Sequence, residues 1–365
     1  MSSLCAGRLP FWVLTLAVLL PTPASLAQEA ARSLAGLTLE TGEIDGALFQ
    51  LAVPSSWNGK LLLHAHGYRL AEEPLRAELD LGDEAYRHFL SAGWMLAITS
   101  YRRNGVIVGD GIRDLENLWD HVAATHARPR TTILEGFSMG GLIVTLIAED
   151  LIAEEEPERF SGAVAAGAAL TNPRLPSELT YAPRIPLLFL TNRSEIFGPR
   201  DYLAKAAASN PVPVLWEVGR DGHVNVNHVE RRTAIEAVAR WIESGRVERN
   251  FDPTHEITQE STATVGEGRA AGFVRRITRS YGNVFSSFGP ADLEALGIHK
   301  GDTFHVVTTA GTFTFTYGTT FSDVPRGKPI AFPTADGEVL FAVNYGNAAA
   351  ALKVDEGDPL TVVKE

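Results

Sequence analysis

The chain has 365 residues, of which 45% are hydrophobic, and its 44 acidic and 32 basic residues give a formal net charge of −12. So acidic a chain is an improbable partner of nucleic acid, because binding to phosphates requires clustered basic residues. The single cysteine is Cys5, so the chain beyond it has neither a disulfide nor thiol chemistry. The length is enough for one large domain and one small domain.

The first 27 residues have the pattern of a secretory signal. Arg8 precedes an apolar run at 11–20, and prolines and small residues lead up to Ala27. Ten residues are too few to span a bilayer, although a retained anchor is the alternative. We expect cleavage after Ala27 and a secreted or periplasmic protein that has no membrane association after cleavage.

From about residue 48 to residue 243, apolar runs alternate with amphipathic patterns. This alternation predicts parallel strands joined by helices, and the nearly continuous apolar strands predict a sheet covered on both faces. The predicted strands are 60–65, 94–99, 132–135, 162–166, 186–191 and 212–218, and the predicted helices lie near 82–92, 110–126, 140–155, 199–209 and 228–243.

The stretch between Ala166 and Ile185 is fewer than twenty residues long and rich in Pro and Asn. It leaves no room for a large helical cap above the carboxyl ends of the strands. We therefore expect a site open enough for a bulky or polymeric substrate.

The remainder of the chain has a different pattern. Residues 246–268 are polar without a clear period and predict a linker between an α/β domain at 28–245 and a last domain at 269–365. In the last domain Thr, Val and Phe alternate and glycines recur, which predicts a small all-β, barrel-like fold. It carries nine basic and ten acidic residues, so nearly all the excess negative charge lies on residues 28–268.

Ser138 lies in the sequence Gly-Phe-Ser-Met-Gly, between a predicted strand and a predicted helix. A nucleophilic serine at such a turn needs small neighbours two residues away on each side, because the turn is tight. The strand before and the helix after favour catalysis more than the pentapeptide alone does. A serine in an ordinary strand-to-helix turn is the alternative.

A serine hydroxyl needs a base within hydrogen-bonding distance. Of the ten histidines, His223 is the best placed, because it follows Gly222 just beyond the last predicted strand. His228, five residues further on, is the second choice, since it is expected to begin the final helix.

A carboxylate that orients the histidine is expected after strand 186–191. Glu195 is four residues past that strand and is the first choice. Asp201 is the second choice, because an acid in the first turn of a helix is also explained by the helix dipole. Asp221 is only two residues from His223, too close in sequence to reach its far ring nitrogen easily.

Two backbone N–H groups are expected to stabilise an oxyanion. Met139 begins the helix after Ser138, and Tyr68 lies in the loop after the first core strand, where its ring is also a candidate wall of an acyl pocket. His64 and His66 form a His-x-His pair, but no third ligand of suitable spacing stands nearby. We therefore predict neither a metal nor a cofactor.

Ser138 with its glycines, His66-Gly67-Tyr68, Glu195 and Gly222-His223 resemble the α/β-hydrolase superfamily over roughly residues 45–245. The resemblance implies a Ser–Glu–His triad, acylation of Ser138 and hydrolysis of the acyl-enzyme by water. Glu replaces the more frequent Asp. Because the superfamily supports many reactions, the fold does not select a substrate. We expect a carboxylic ester hydrolase, with a serine peptidase or amidase as the alternative.

The last domain resembles the C-terminal β-barrel of the S-adenosylmethionine hydroxide adenosyltransferase and fluorinase family. The matching residues are Tyr281-Gly282-Asn283, Tyr317, Gly337, Asn347-Ala348 and Gly357-Asp358. The resemblance implies that Asn283 and Asn347 occupy positions that contact an adenosyl group. The acid expected shortly before Tyr281 and the family's N-terminal catalytic domain are both absent, so hydrolysis of S-adenosylmethionine is not expected.

Two interpretations of the barrel remain open at this point. It serves packing, contacts between copies of the chain or substrate capture, or it binds a nucleoside. A protein of another class also fits the sequence: a binding protein whose barrel captures a nucleoside-like or polymeric ligand, with the hydrolase domain secondary.

Overall fold

Eight strands between residues 37 and 218 form one mixed sheet. In chain order they are β1 Leu37–Ile44, β2 Ala47–Pro54, β3 Lys60–Ala65, β4 Met95–Thr99, β5 Thr131–Phe137, β6 Gly162–Ala166, β7 Leu187–Asn192 and β8 Val214–Val218. Their order across the sheet is β1-β2-β4-β3-β5-β6-β7-β8. Strands β3 to β8 are parallel, whereas β2 runs antiparallel to both β1 and β4.

The computed structural model describes residues 36–149, 159–171, 178–278 and 281–364. The predicted signal at 1–27 and part of the short stretch after β6, residues 172–177, lie outside the described residues. The α/β part and the β part belong to the same compact unit, Leu37–Glu365. In the described part of the chain, every helix is too short or too polar to cross a bilayer.

Helices cover both faces of the sheet. They are α1 Glu84–Ser91, α2 Val108–Thr125, α3 Met139–Glu149, α4 Phe197–Lys205 and α5 His228–Ser244. Helices α2 and α3 bury Leu118 and Ile143 against one face, and α1 and α5 bury Phe89 and Ile235 against the other. The strand order and the two helical layers confirm the predicted α/β-hydrolase fold.

The second sheet closes into a barrel. Its strands are β9 Thr264–Gly266, β10 Arg269–Thr278, β11 Asn283–Ser286, β12 Thr303–Thr308, β13 Gly311–Tyr317, β14 Pro329–Pro333, β15 Val339–Val343 and β16 Pro359–Lys364, with short helices α6 Pro290–Ala295 and α7 Ala348–Leu352. Their order is β11-β15-β14-β13-β12-β16-β10-β9, and β10 also pairs with β11, which closes the ring. Phe288, Phe304, Phe315 and Phe341 fill its core.

Residues 246–268 are predicted as a linker. Their first part, around residues 248–254, packs along the α/β sheet, and their last part includes β9, which pairs with β10 of the barrel. The indole Nε1 of Trp216 donates to the carbonyl oxygen of Glu248 at 2.9 Å. The ring of Phe251 lies 4.6 Å from the Trp216 ring, and the Thr254 hydroxyl accepts from the N–H of Gly219 at 2.8 Å. Backbone polar groups of a segment without a hydrophobic period are thus satisfied by the domain that it follows.

The N-terminus of α5 is one place where the barrel contacts the α/β part. His228 Nδ1 lies 2.7 Å from Asp336 Oδ1. The Asn227 amide, which also caps α5, lies 3.4 Å from the carbonyl oxygen of Ala335. A second contact joins Arg276 of β10 to Asp80 at 2.6 Å. Polar pairs of this kind orient two domains more than they stabilise them.

A buried carboxylate holds the start of α5 and the segment that follows the helix. Glu230 accepts from the backbone N–H groups of Asn227 and His255, both at 2.9 Å. Its two oxygens also accept from the Arg220 guanidinium at 2.7 and 2.6 Å. The last loop of the α/β part, the helix and residue 255 are therefore joined by one fully buried group.

Candidate active site

Ser138 occupies a sharp turn between β5 and α3. Its φ of 56° lies in the left-handed region, which is sparsely populated by residues other than glycine. The surrounding chain holds it there: its N–H donates to the carbonyl oxygen of Ala166 at 3.0 Å, and its carbonyl oxygen accepts from Leu142 at 3.2 Å and Ala169 at 3.1 Å. The turn presents the Ser138 side chain at the carboxyl end of the central strands.

The glycines around Ser138 permit a close approach of strand and helix. A β-carbon on Gly136 would lie 2.3 Å from the carbonyl oxygen of Gly140, and one on Gly140 would lie 1.9 Å from that of Ala65. Both distances are far below van der Waals contact with backbone atoms. Any larger residue would therefore push α3 away from β3 and β5.

His223 and Glu195 complete a chain of hydrogen bonds with Ser138. His223 Nε2 lies 2.8 Å from Ser138 Oγ, and its Nδ1 lies 2.5 Å from Glu195 Oε2. The other Glu195 oxygen accepts from the backbone N–H of Val224 at 3.1 Å. The His223 side chain is 42% exposed and that of Glu195 is 21% exposed. The geometry is that of a nucleophile, a base and a group that orients the base.

The loops that carry Glu195 and His223 are joined by their own polar groups. Asn192, the last residue of β7, binds both the N–H and the carbonyl oxygen of Asn225 through its side chain, each at 2.8 Å. The Ser194 hydroxyl lies 2.9 Å from the N–H of Gly222. Sequence reasoning passed over Asn192 and Ser194. Their position directly after a buried strand, beside the predicted acid, was the available signal.

The residues predicted as second choices have other partners. Asp201 binds Lys205 at 2.7 Å on the surface of α4. His228 begins α5 and lies between Asp336, at 2.7 Å, and Glu84, at 2.9 Å. Asp221 binds Arg193 at 3.1 Å, and this hydrogen bond lowers the pKa of the Asp221 carboxyl. The acid beside His223 is therefore Glu195.

The two expected oxyanion donors flank Ser138. A β-carbon on Gly67 would lie 3.4 Å from the Ser138 β-carbon, so the loop that carries Tyr68 passes directly beside the nucleophile. Met139 is the first residue of α3, where the backbone N–H groups have no partner within the helix. Among the described residues, the backbone N–H groups of Tyr68 and Met139 have no backbone acceptor. This position agrees with the predicted role of the two N–H groups as oxyanion donors.

His66 shapes this loop from below. Its Nδ1 lies 2.6 Å from the carbonyl oxygen of Gly67, and its Nε2 lies 3.1 Å from that of Ser100. Burial, followed by the nearby charge of Arg69, lowers the pKa of His66 well below its usual value, although the two carbonyl oxygens act in the opposite direction. No group of metal-binding side chains is present in the ranges that the structure describes.

A buried cluster of charged and polar side chains lies behind the nucleophile and was not predicted. Glu135 on β5 accepts from Arg231 Nε of α5 at 2.9 Å, and its other oxygen lies 3.2 Å from both His64 Nδ1 and the Tyr86 hydroxyl. Arg231 also binds Asp83, which caps α1. The Arg231 guanidinium lies 5.0 Å from the centre of the Phe137 ring. The cluster links β5 and the residue before Ser138 to α5.

The electrostatics of this cluster keep Glu135 ionised. Burial alone would raise the pKa of its carboxyl, but Arg231 and then His64 outweigh burial and lower the pKa to about 2. Burial disfavours the charged form of Arg231 too, yet Asp83 and Glu135 raise the pKa of its guanidinium. Each charge is therefore stable in the interior only because the others are present.

The two asparagines predicted as ligand contacts lie in neighbouring barrel loops. Asn347 caps α7, because its side-chain oxygen accepts from the N–H of Ala350 at 2.8 Å. Asn283 is the first residue of β11 and is half-buried. The side chain of Asn347 is therefore already engaged within the barrel.

Residues 278–361 match the family described as the SAM hydroxide adenosyltransferase C-terminal domain. This match agrees with the resemblance of the barrel, and it covers less than a quarter of the chain. No curated protein matches the chain at a significant level.

The chain is also similar to several solved structures at low identity. They include an uncharacterized conserved protein of Thermotoga maritima (24% identity, TM-score 0.27), a putative dipeptidyl aminopeptidase IV of Bacteroides ovatus (14%, 0.45) and an esterase of Pyrococcus furiosus (16%, 0.42). The matches cover 36%, 57% and 62% of this chain and 50%, 36% and 96% of the others. The chain thus spans half or less of the first two proteins. Similarities this weak indicate nothing about the reaction.

The Gly140→Ala substitution should make Ser138 less reactive, because the new β-carbon would overlap the carbonyl oxygen of Ala65. A displacement of the helix start by about 1 Å is expected to slow reaction of Ser138 with a fluorophosphonate probe roughly a hundredfold. The matched control is Gly109→Ala in α2, where a β-carbon meets nothing within 4 Å. Equal labelling of the two variants would contradict the close approach.

Stability should fall in acid partly because of Glu135. Its pKa is about 2 in the folded protein against an ordinary 4.5, so its contribution is complete above pH 4.5 and is lost as pH falls towards 2. A shift of this size corresponds to about 3 kcal/mol of the free energy of unfolding. In urea unfolding between pH 6 and 3, the difference between wild type and Glu135→Gln should shrink towards the acid end. A constant difference would exclude this linkage.

Proposed function

We propose that the chain is a secreted serine hydrolase that cleaves a carboxylic ester through an acyl-enzyme on Ser138. The observation that carries the proposal is the continuous hydrogen-bond chain from Ser138 through His223 to Glu195. The three residues follow three different parallel strands, β5, β8 and β7, at one edge of the sheet. Serine, histidine and glutamate each have many roles in proteins. Here they are hydrogen-bonded in the order that activates a serine hydroxyl.

Each group has a defined part in the proposed reaction. His223 Nε2 takes the proton of the Ser138 hydroxyl as the oxygen attacks the ester carbonyl, and Glu195 stabilises the resulting imidazolium. The N–H groups of Tyr68 and Met139 bind the oxyanion of the tetrahedral intermediate. His223 then protonates the departing alcohol, which leaves an ester on Ser138. Water, deprotonated by His223, then attacks the acyl carbonyl, and collapse of the second tetrahedral intermediate expels Ser138 Oγ. That oxygen takes the proton back from His223, and the carboxylic acid leaves.

An ester is the least demanding substrate for this arrangement. An alcohol leaves with less help from an acid than an amine does, so a half-exposed histidine is sufficient. The short connection between β6 and β7 supports a site open to bulky or polymeric esters. The acidic net charge of the chain argues against nucleic acid as a partner. Contacts between copies of the chain through the barrel are part of the same proposal.

Substitutions test the nucleophile and the orienting acid, and a matched amide tests which bond is cleaved. Ser138→Ala should abolish turnover of a p-nitrophenyl ester, and Glu195→Gln should reduce kcat by about four orders of magnitude, because the imidazole loses its orienting charge. Asp201→Asn, which removes only a surface partner of Lys205, should leave turnover unchanged. Turnover that survives Ser138→Ala would overturn the mechanism, and faster cleavage of a matched amide than of its ester would identify an amidase instead.

Export is proposed from the signal pattern of the first 27 residues. Expression of the whole chain in a bacterium, followed by fractionation and N-terminal sequencing, is expected to recover a protein that begins at Gln28 from the periplasm or the medium. A protein that keeps Met1 and stays in the cytoplasm would contradict export.

A further inference from the structure

The barrel contains the triplet Tyr-Gly-Asn twice, at Tyr281-Gly282-Asn283 and at Tyr345-Gly346-Asn347. The first triplet leads into β11 and the second lies between β15 and α7. The two loops pack tightly, because a β-carbon on Gly282, whose φ is 66°, would lie 2.1 Å from the Asn347 side chain. The two triplets are therefore in direct contact, and each begins with a tyrosine.

Tyr281 lies beside the nucleophile. Its hydroxyl is 3.9 Å from the position of a β-carbon on Gly67, and that same position is 3.4 Å from the Ser138 β-carbon. The Tyr281 hydroxyl and the Ser138 side chain thus lie close to the same glycine of the oxyanion loop. The guanidinium of the buried Arg69 lies 5.4 Å from the centre of the Tyr281 ring and supports it from the hydrolase side.

Tyr345 lies beside Tyr68 of the same loop. Its ring is 6.0 Å from the ring of Tyr68, at an edge-to-face angle of 68°. The guanidinium of Arg326 lies 5.2 Å from the centre of the Tyr345 ring and 3.6 Å from Glu72 of the hydrolase part. Tyr345 has a φ of 54°, in the left-handed region that residues other than glycine rarely adopt.

Both tyrosines keep a large accessible surface although they contact the hydrolase part. Tyr281 is 36% exposed and Tyr345 is 52% exposed. Exposed aromatic side chains beside a reactive group are typical of a surface that binds a ligand. With Tyr68 they form a set of three rings, here called the tyrosine wall, made of Tyr68, Tyr281 and Tyr345.

We propose that the barrel supplies the substrate-selecting part of the hydrolase site, and that the tyrosine wall favours esters that carry an aromatic ring. This inference rests on the proposed hydrolase function. Tyr68 and Tyr345, held edge to face, offer a further ring both offset stacking and edge contacts, which an aliphatic group of equal size cannot use in the same way. The tyrosines touch the non-reacting part of the ester and take no part in proton transfer.

Two pairs of esters that differ only in aromaticity measure this selection. Methyl phenylacetate and methyl cyclohexylacetate compare acyl groups, and benzyl acetate and cyclohexylmethyl acetate compare alcohols. In neither pair is the ring conjugated to the carbonyl, so the intrinsic reactivities are similar. Wild-type kcat/KM should favour the aromatic member of at least one pair. Tyr281→Leu and Tyr345→Leu should each reduce that preference about threefold to tenfold, mainly through KM.

Two controls separate the ring from other effects. Tyr281→Phe and Tyr345→Phe should keep the preference, because the ring is retained, and Phe273→Ala, which removes an exposed aromatic residue from β10, should not change it. Ester turnover that depends on Ser138 but is unaffected by both leucine variants would overturn the role of the barrel and leave the hydrolase function standing. If no ester is turned over, the hydrolase function itself fails, and the role of the barrel with it.

Discussion

The candidate site depends on a turn that is too tight for side chains. The end of β5 and the start of α3 approach each other so closely that only hydrogen fits at Gly136 and Gly140, and Ser138 adopts a left-handed conformation between them. Such a conformation costs on the order of 1–3 kcal/mol and persists only where the surrounding structure fixes it. Here the sheet fixes the strand and the apolar face of α3 fixes the helix, so the backbone of Ser138 is held in this conformation.

A buried ion pair also fixes the strand that carries the nucleophile. Glu135, three residues before Ser138 on β5, is held by Arg231, eight residues after His223 on α5. Buried ion pairs add little net stability compared with packed apolar side chains, but removal of one partner leaves an uncompensated charge in the interior. The pair therefore acts chiefly as a constraint on distance: the strand that carries the serine and the helix that follows the histidine cannot separate without exposing it.

Much of the larger fold is encoded locally and was therefore predictable from the sequence. Apolar runs of four to seven residues predicted β3 to β8, and their bounds agree with the structure to within two residues at every end. The hairpin of β1 and β2 was not predicted as such, because β1 is largely exposed and lacks an apolar run. Ser138, Glu195 and His223 stand at fixed positions after strands, where a local pattern and a known order of elements suffice to select them.

Contacts between segments that are distant in the sequence could not be predicted from local patterns. Arg231 and Glu135 are 96 residues apart, and neither has a neighbour in the sequence that suggests a buried pair. Residues 246–268 look like a linker because their polar groups have no period. In the folded chain these groups bind the backbone just after β8, at Gly219, and the side chain of Glu230. The sequence of a polar segment without a repeat predicts no helix or strand. In the folded protein the segment packs where neighbouring elements offer hydrogen-bond partners.

The position of the barrel against the hydrolase part is the clearest example of a feature that no local sequence pattern predicts. Tyr281-Gly282-Asn283 indicates a turn, and the likeness to a known domain indicates a barrel, but neither says which surface the turn faces. That is decided by contacts such as Arg276 with Asp80 and Arg326 with Glu72, which bring basic residues of the barrel to acidic residues of the hydrolase part. Exposed pairs of this kind contribute little energy individually. Together they choose one orientation among many, and in that orientation two barrel tyrosines lie within reach of a substrate on Ser138.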